Sequence, residues 1–108
     1  MHKPVLFNIK PNQPLEVDIC AIPGWEGFDK LIQFLKNEYS IDIIKMIDGP
    51  DARRWILKAR GINFELRHDD VYGNYLYAPS SESEKIVTEI GQDIEQRLKN
   101  MWRLSTYL

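Results

Sequence analysis

Two alternating segments joined by two residues decide the fold: Arg53-Arg54-Trp55-Ile56-Leu57-Lys58-Ala59, then Arg60-Gly61, then Ile62-Asn63-Phe64-Glu65-Leu66-Arg67-His68. A two-residue connection with glycine at its second position is typical of a tight β-hairpin. This loop length fixes which residues face each other. The predicted pairs on one face are Ala59–Ile62, Leu57–Phe64 and Trp55–Leu66, and those on the other are Lys58–Asn63, Ile56–Glu65 and Arg54–Arg67. One face is apolar and the other mostly polar, so we expect the first to lie in the core and the second to face water.

The segments around this hairpin predict an α+β fold. Alternation or β-branched runs indicate strands at residues 5–9, 15–21, 41–48 and 75–78, and apolar stripes indicate amphipathic helices at 25–39 and from 81 onward. The run at 41–48 favours a central strand, although apolar residues at both parities leave its inward face undetermined. We predict an antiparallel sheet of about four to six strands with both helices packed on one face. If Leu76 points inward, Tyr75 and Tyr77 lie on the uncovered face.

Length and composition exclude several classes of protein. The chain has 108 residues, so we expect a single domain, 1–108. Its net charge of −2 does not favour nonspecific electrostatic binding to nucleic acid. No apolar run approaches membrane-spanning length. Cys20 is the only cysteine, which suits a reducing compartment and, in a chain of this composition, a small buried side chain. We expect a cytoplasmic protein with no cofactor and no membrane association.

The chain carries no familiar catalytic motif: no phosphate-binding loop, paired CxxC, HExxH or nucleophile elbow. His68-Asp69-Asp70 is the only cluster that resembles a chemical site. Such a group can hold a divalent metal or supply a general base, which would make the protein a small metal-dependent or hydrolytic enzyme. Three consecutive residues rarely point at one ion, however, and a polar turn whose aspartates accept backbone hydrogen bonds is the favoured interpretation. We therefore assign no catalytic residue and no metal ligand.

The uncovered sheet face is the best candidate for a binding surface. Arginine and tyrosine are enriched at the energetic centres of protein interfaces. The predicted contact residues are Tyr72, Tyr75, Tyr77, Arg54 and Arg67. Arg53, Arg60 and Lys58 are also expected to make the hairpin basic on its wet face, an arrangement that would suit single-stranded nucleic acid. Neighbouring acids dilute that charge, so nucleic acid remains the weaker alternative and a protein partner the stronger one.

The run from Trp55 through Asp70-Val71-Tyr72-Gly73-Asn74-Tyr75-Leu76 to Arg97-Leu98 resembles small bacterial α+β domains, mostly uncharacterised, some of which look like immunity proteins encoded beside toxins. The resemblance covers roughly the second half of the chain. It implies binding rather than catalysis and no catalytic residues. The hypothesis is a non-catalytic protein-interaction module, immunity-type or self-associating, with a protein partner or a homodimer. Trp102, Tyr107 and Leu108 would either seal a dimer or cap the core.

Overall fold

The computed structural model describes residues 3–107, and the side chains of this range as far as Met101. Six strands and two helices follow one another along the chain: β1 (Leu6–Asn8), β2 (Leu15–Asp18), α1 (Gly24–Tyr39), β3 (Asp42–Asp48), β4 (Ala52–Ala59), β5 (Ile62–Asp69), β6 (Gly73–Ala78) and α2 (Ser81–Tyr107). The strands form one antiparallel sheet in the order β1-β2-β6-β5-β4-β3. The predicted α+β architecture is confirmed.

The central hairpin has the predicted register at every pair. Ala59 lies opposite Ile62, and Arg54 lies opposite Arg67, with the intervening pairs in step. Arg60 and Gly61 adopt φ values of 53° and 77°. Positive φ at both central residues is the geometry of the two-residue turn whose twist matches that of paired strands. The local sequence therefore sets the frame of the whole sheet.

Both helices pack on one face of the sheet, with their closest contacts on β5 and β6. The core lies between the two layers. Its largest fully buried side chains come from the helices and from the predicted inward face of the strands: Phe28, Phe64, Ile19, Leu31, Leu35, Leu57, Leu66, Leu76 and Ile90. Leu76 points inward, so Tyr75 and Tyr77 lie on the uncovered face as expected.

The two N-terminal strands pair as a hairpin, and β1 lies at one edge of the sheet. β2 ends at Asp18, three residues earlier than its alternation indicated. Chain reversal begins there, because the Ile22 amide donates to the Ile19 carbonyl at 3.1 Å. This places Cys20 on the surface, so the prediction that it is buried was wrong.

The prediction that residues 41–48 form a central strand was also wrong. β3 is the other edge strand and pairs only with β4. Its register shifts between Ile43 and Lys45, which marks a β-bulge and explains why apolar residues occur at both parities. Ile44 and Met46 are more than half exposed, at 53% and 60%. β-branched content thus indicated the strand correctly but not its burial.

Helix α2 is capped by Ser80, the residue before the start of the helix at Ser81. The Ser83 amide donates to the Ser80 hydroxyl at 3.2 Å, and the Ser80 amide donates to the Ser83 hydroxyl at 3.0 Å. These reciprocal bonds are those of a capping box with serine in place of glutamate. The predicted roles of Trp102, Tyr107 and Leu108 fall outside the described side chains. Within residues 3–107, neither helix combines the length and apolarity needed to cross a membrane.

Candidate functional site

The sheet face opposite the helices, here called the open face, carries two rows of side chains that run across the strands. Antiparallel partners share a face, so the register gives the order directly. The first row from β3 to β2 is Ile47, Arg54, Arg67, Tyr75 and Asp18, and the second is Lys45, Ile56, Glu65, Tyr77 and Glu16. The basic residues therefore lie on β3, β4 and β5 around a single acid, Glu65, two further acids lie on β2, and the two tyrosines of β6 separate these groups.

Glu65 organises the centre of this face. Its carboxylate accepts from Arg54 Nε at 2.8 Å and from Arg54 Nη2 at 3.2 Å, and Arg67 Nε donates to the same carboxylate at 2.9 Å. Only 5% of the Glu65 side chain is exposed, against 48% for Arg54 and 23% for Arg67. The arginines thus cover the carboxylate and present their outer guanidinium faces to solvent.

The ionisation of this cluster follows from its hydrogen bonds. Burial raises the pKa of the Glu65 carboxyl, but the hydrogen bonds from Arg54 and Arg67 outweigh burial and hold that pKa below its ordinary value. Glu65 is therefore a carboxylate at neutral pH. A buried charge is tolerated because it is paired and hydrogen-bonded on both oxygens.

The two tyrosines of the open face are held beside Arg67. The guanidinium carbon of Arg67 lies 3.6 Å from the centroid of the Tyr77 ring, which is cation–π stacking. Burial raises the pKa of the Tyr75 hydroxyl, and the adjacent Arg67 only partly offsets it, so Tyr75 keeps its proton as a hydrogen-bond donor. Four of the five predicted contact residues, Arg54, Arg67, Tyr75 and Tyr77, are thereby brought together.

Tyr72, the fifth predicted contact residue, lies apart from this cluster in the turn between β5 and β6. It is 80% exposed. With Tyr75 it borders a hollow of about 430 Å³ whose other walls are polar residues of β1, β2 and their connection: Asn8, Lys10, Gln13, Pro14, Glu16 and Asp18. Tyr72 thus extends the open face at its acidic end.

Two arginines that were expected on the solvent-exposed face of the hairpin lie elsewhere. Arg53 is on the helix side, with its guanidinium carbon 4.4 Å from the Trp25 ring centroid and its Nη1 bonded to Asp29 at 3.0 Å. Arg60, in the hairpin turn, reaches Glu89 of α2 at 2.6 Å. The open face is consequently less basic than the sequence indicated, which removes the main support for a nucleic-acid platform.

The cluster at His68 is a buried structural link. Asn74 Nδ2 donates to the carbonyls of Ile22 and Gly24 at 2.8 and 3.0 Å, which fixes its amide orientation. Its oxygen therefore faces His68 Nδ1, at 2.8 Å, while Asp70 Oδ1 lies 2.8 Å from His68 Nε2. The two ring nitrogens of His68 thus bridge the side chains of Asn74 and Asp70. The link joins β5, β6, the turn between them and the start of α1.

Asp69 accounts for the remaining member of the His68-Asp69-Asp70 run. Its Oδ1 accepts from the amides of Val71 and Tyr72 at 2.8 and 3.1 Å, the turn-stabilising role that the sequence analysis favoured. Over the described part of the chain, no group of three or more histidine, cysteine, aspartate or glutamate side chains is placed to hold a metal ion. The three side chains are occupied by hydrogen bonds within the fold.

Sequence reasoning missed two residues on which these arrangements depend. Glu65 carried a signal, since an acid opposite Ile56 and flanked by the Arg54–Arg67 pair is placed to bridge both arginines. Asn74 lies just before the predicted strand 75–78, but it is a buried member of β6, only 2% exposed. The carbonyls that its amide nitrogen reaches, those of Ile22 and Gly24, are 52 and 50 positions away in sequence. Local pattern carries no information at that separation.

Comparisons of the chain with protein-family models, with curated proteins and with solved structures gave no match.

Proposed function

We propose that this chain is a non-catalytic protein-interaction module whose contact surface is the open face of its sheet. The observation that carries the proposal is the Arg54–Glu65–Arg67 cluster with Tyr77 stacked on it, held in place with no helix above it. Side chains ordered before binding lose less conformational entropy when a partner docks. Arginine and tyrosine are also the residue types that contribute most to protein interfaces.

The charge distribution favours a protein over nucleic acid as the partner. Arg54 and Arg67 are already paired with Glu65, and Glu16 and Asp18 lie on the same face. A uniform phosphate backbone would meet repulsion at the β2 side. A protein surface with acidic groups over β4 and basic groups over β2 would be complementary at both ends. The polar, half-buried tyrosines between them suit a mixed interface.

An immunity-type role is the specific form of this proposal. The resemblance of residues 55–98 to immunity-like bacterial domains supports it, because such proteins act by covering another protein and need no chemistry of their own. The reducing compartment suggested by the single thiol supports a cytoplasmic location. Partial burial and the nearby Asp18 carboxylate raise the pKa of the Cys20 thiol, so the surface cysteine is mostly protonated and weakly reactive.

The test compares capture of proteins from the source cell by the wild-type chain and by two variants, Tyr75→Ala and Arg67→Ala. A protein that binds the open face should be retained by the wild type and lost with either variant. Calorimetry with the purified partner should then give a dissociation constant at least about tenfold larger for each variant than for the wild type. Thermal melting of the free variants checks that each remains folded.

Arg60→Ala is the matched control, because it removes an exposed arginine from the same hairpin but not from the open face. It should leave capture unchanged. If every captured protein binds the two open-face variants as well as the wild type, the open face is not the contact surface.

A further inference from the structure

The outer edge of β3, where the two rows of the open face end, is a second exposed apolar surface. Ile44, Met46 and Ile47 are 53%, 60% and 38% exposed. Both helices make most of their contacts with β5 and β6. Ile43, near the start of β3, packs against the core, and the second half of the strand extends beyond the helix layer. The main-chain amides and carbonyls that point away from β4 are also free to pair with another strand. Four of the seven residues of β3 are apolar, and a long exposed edge of this kind is unusual for an isolated domain.

Met46 is the last member of a row that belongs to the core. The register aligns Val17, Leu76, Leu66, Trp55 and Met46 across five strands on the helix side of the sheet. The first four are at most 9% exposed, whereas Met46 is 60% exposed. The buried apolar row therefore ends at Met46, a large apolar side chain that is exposed to solvent. Burying Met46 requires another apolar strand beside β3.

We propose that β3 pairs antiparallel with β3 of a second copy of this chain, about a two-fold axis that passes between the two Met46 residues. An antiparallel pair related by a two-fold axis keeps facing side chains on the same side of the sheet. The helices of both copies then lie on one side, and two six-stranded sheets become one of twelve strands. The two core rows meet at Met46.

In this register the side chains of β3 are complementary to those of β3 in the second copy. With Met46 on the axis, Lys45 faces Ile47 of the second copy on the open side, so its aliphatic stem covers an exposed apolar side chain. Moving the axis to Lys45 would set two lysines directly opposite each other, which is destabilising. The bulge between Ile43 and Lys45 bends the first half of the strand. The contact therefore centres on the regular half, where Met46 and Ile47 are exposed.

The first experiment measures the mass of the wild-type chain in solution by light scattering and sedimentation. The dimer should have twice the monomer mass of 12.7 kDa. Met46→Lys should give a monomer, because it places two like charges at the axis. Ile9→Lys is the matched control: Ile9 is 79% exposed and follows β1 at the opposite edge, so this variant should remain dimeric.

The second experiment traps the register with a disulfide. Directly opposed residues of an antiparallel pair have Cα atoms about 4.5–5.5 Å apart, within the range that a disulfide spans. In a Cys20→Ser background, Met46→Cys should oxidise to a covalent dimer in dilute protein. Ile9→Cys in the same background should remain monomeric on a denaturing gel. A cooperative melting transition of Met46→Lys, at a temperature that does not depend on protein concentration, shows that a loss of dimer is not a loss of fold.

A wild-type chain that is monomeric across the accessible concentration range overturns the proposal, as does a dimer that survives Met46→Lys. The open-face variants Tyr75→Ala and Arg67→Ala should remain dimeric, because their side chains are on β6 and β5. Failure of partner capture and failure of dimerisation are therefore distinguishable.

Discussion

At the scale of single residues, Glu65 shows how a charge can be buried in the middle of an exposed sheet face. Its carboxylate is covered by Arg54 and Arg67, which themselves remain partly in solvent. The pKa of the carboxyl is below its ordinary value in the folded chain. Ionisation of Glu65 therefore favours the folded state. This contribution is present above the ordinary glutamate pKa of about 4.3 and is lost as the pH falls through the lower folded value.

Replacing Glu65 by glutamine should accordingly lower the free energy of unfolding at pH 7, by about 1–3 kcal/mol, because charged hydrogen bonds to both arginines are lost. The difference from wild type should shrink as the pH falls below about 4. Asp93 also has a lowered pKa, but it is present in both proteins and cancels in the difference. Urea denaturation at a series of pH values measures the effect.

Glu16→Gln is the control for this prediction, since Glu16 lies on the open face two strands away. Its effect should stay within about 0.5 kcal/mol. A Glu65→Gln deficit that is the same at acid and neutral pH would contradict the assigned ionisation.

The residue scale also separates what sequence could predict from what it could not. Alternation placed Arg54, Arg67, Tyr75 and Tyr77 on the uncovered side of the sheet, because strand parity is a local property. The strand parity that the hairpin register implies sends Arg53 to the side opposite Arg54. Counting Arg53 among the cations of the solvent-exposed face was therefore an error in applying the alternation pattern, and the pattern itself was correct. Its packing on Trp25 depends on where α1 lies, which alternation does not contain.

At the scale of elements, two helical glycines are fixed by close approach to a neighbouring segment, Gly27 to the turn before α1 and Gly91 to the sheet. A Cβ on Gly27 would lie 2.7 Å from the Ile22 carbonyl oxygen, and one on Gly91 would lie 2.9 Å from both Phe7 Cε2 and Val17 Cγ1. In an exposed helix, alanine would stabilise by about 1 kcal/mol relative to glycine. Here close approach outweighs that gain. Both glycines are therefore close-contact points of the helices.

Both Gly27→Ala and Gly91→Ala should therefore lower the free energy of unfolding, and Gly27→Ala should have the larger effect. The obstacle at Gly27 is main chain, which cannot move without shifting the turn before α1. The obstacles at Gly91 are side-chain ends that can yield. We expect about 1 kcal/mol for Gly91→Ala and about 2–3 kcal/mol for Gly27→Ala. Urea denaturation measures both, and an increase in stability at either position would contradict the close packing.

The strands also show what local sequence propensity can and cannot predict. The hairpin β4–β5 was predicted in full, because its turn, register and burial all follow from adjacent residues. For β3 the same kind of reasoning found the strand and misplaced it. Ile43, Ile44 and Ile47 fit a buried strand, but burial depends on how far the helix layer extends, which no local pattern reports. An apolar strand at a sheet edge is therefore evidence about association with another chain as well as about the folding of this one.

At the scale of the whole molecule, the two edges of the sheet differ in kind. β1 has three residues, and β3 has seven, four of which are apolar. Dimerisation through β3 would leave the short β1 strands as the only edges of a twelve-stranded sheet. It would also align two open faces side by side, so that one partner assembly could engage both. The avidity of such a pair exceeds that of a single face without any new contact.

This asymmetry predicts a pattern of amide hydrogen exchange. In β3, alternate amides bond to β4, and the others point outward to the free edge. The outward set should be protected in the dimeric wild type and exchange rapidly in monomeric Met46→Lys, while the set bonded to β4 changes little. Amides of β1, at the opposite edge, should exchange equally in both proteins. Exchange measured residue by residue by NMR distinguishes these sets. Protection that falls throughout the sheet in Met46→Lys would indicate general destabilisation, and outward amides of β3 that exchange rapidly in the wild type would rule out strand pairing at this edge.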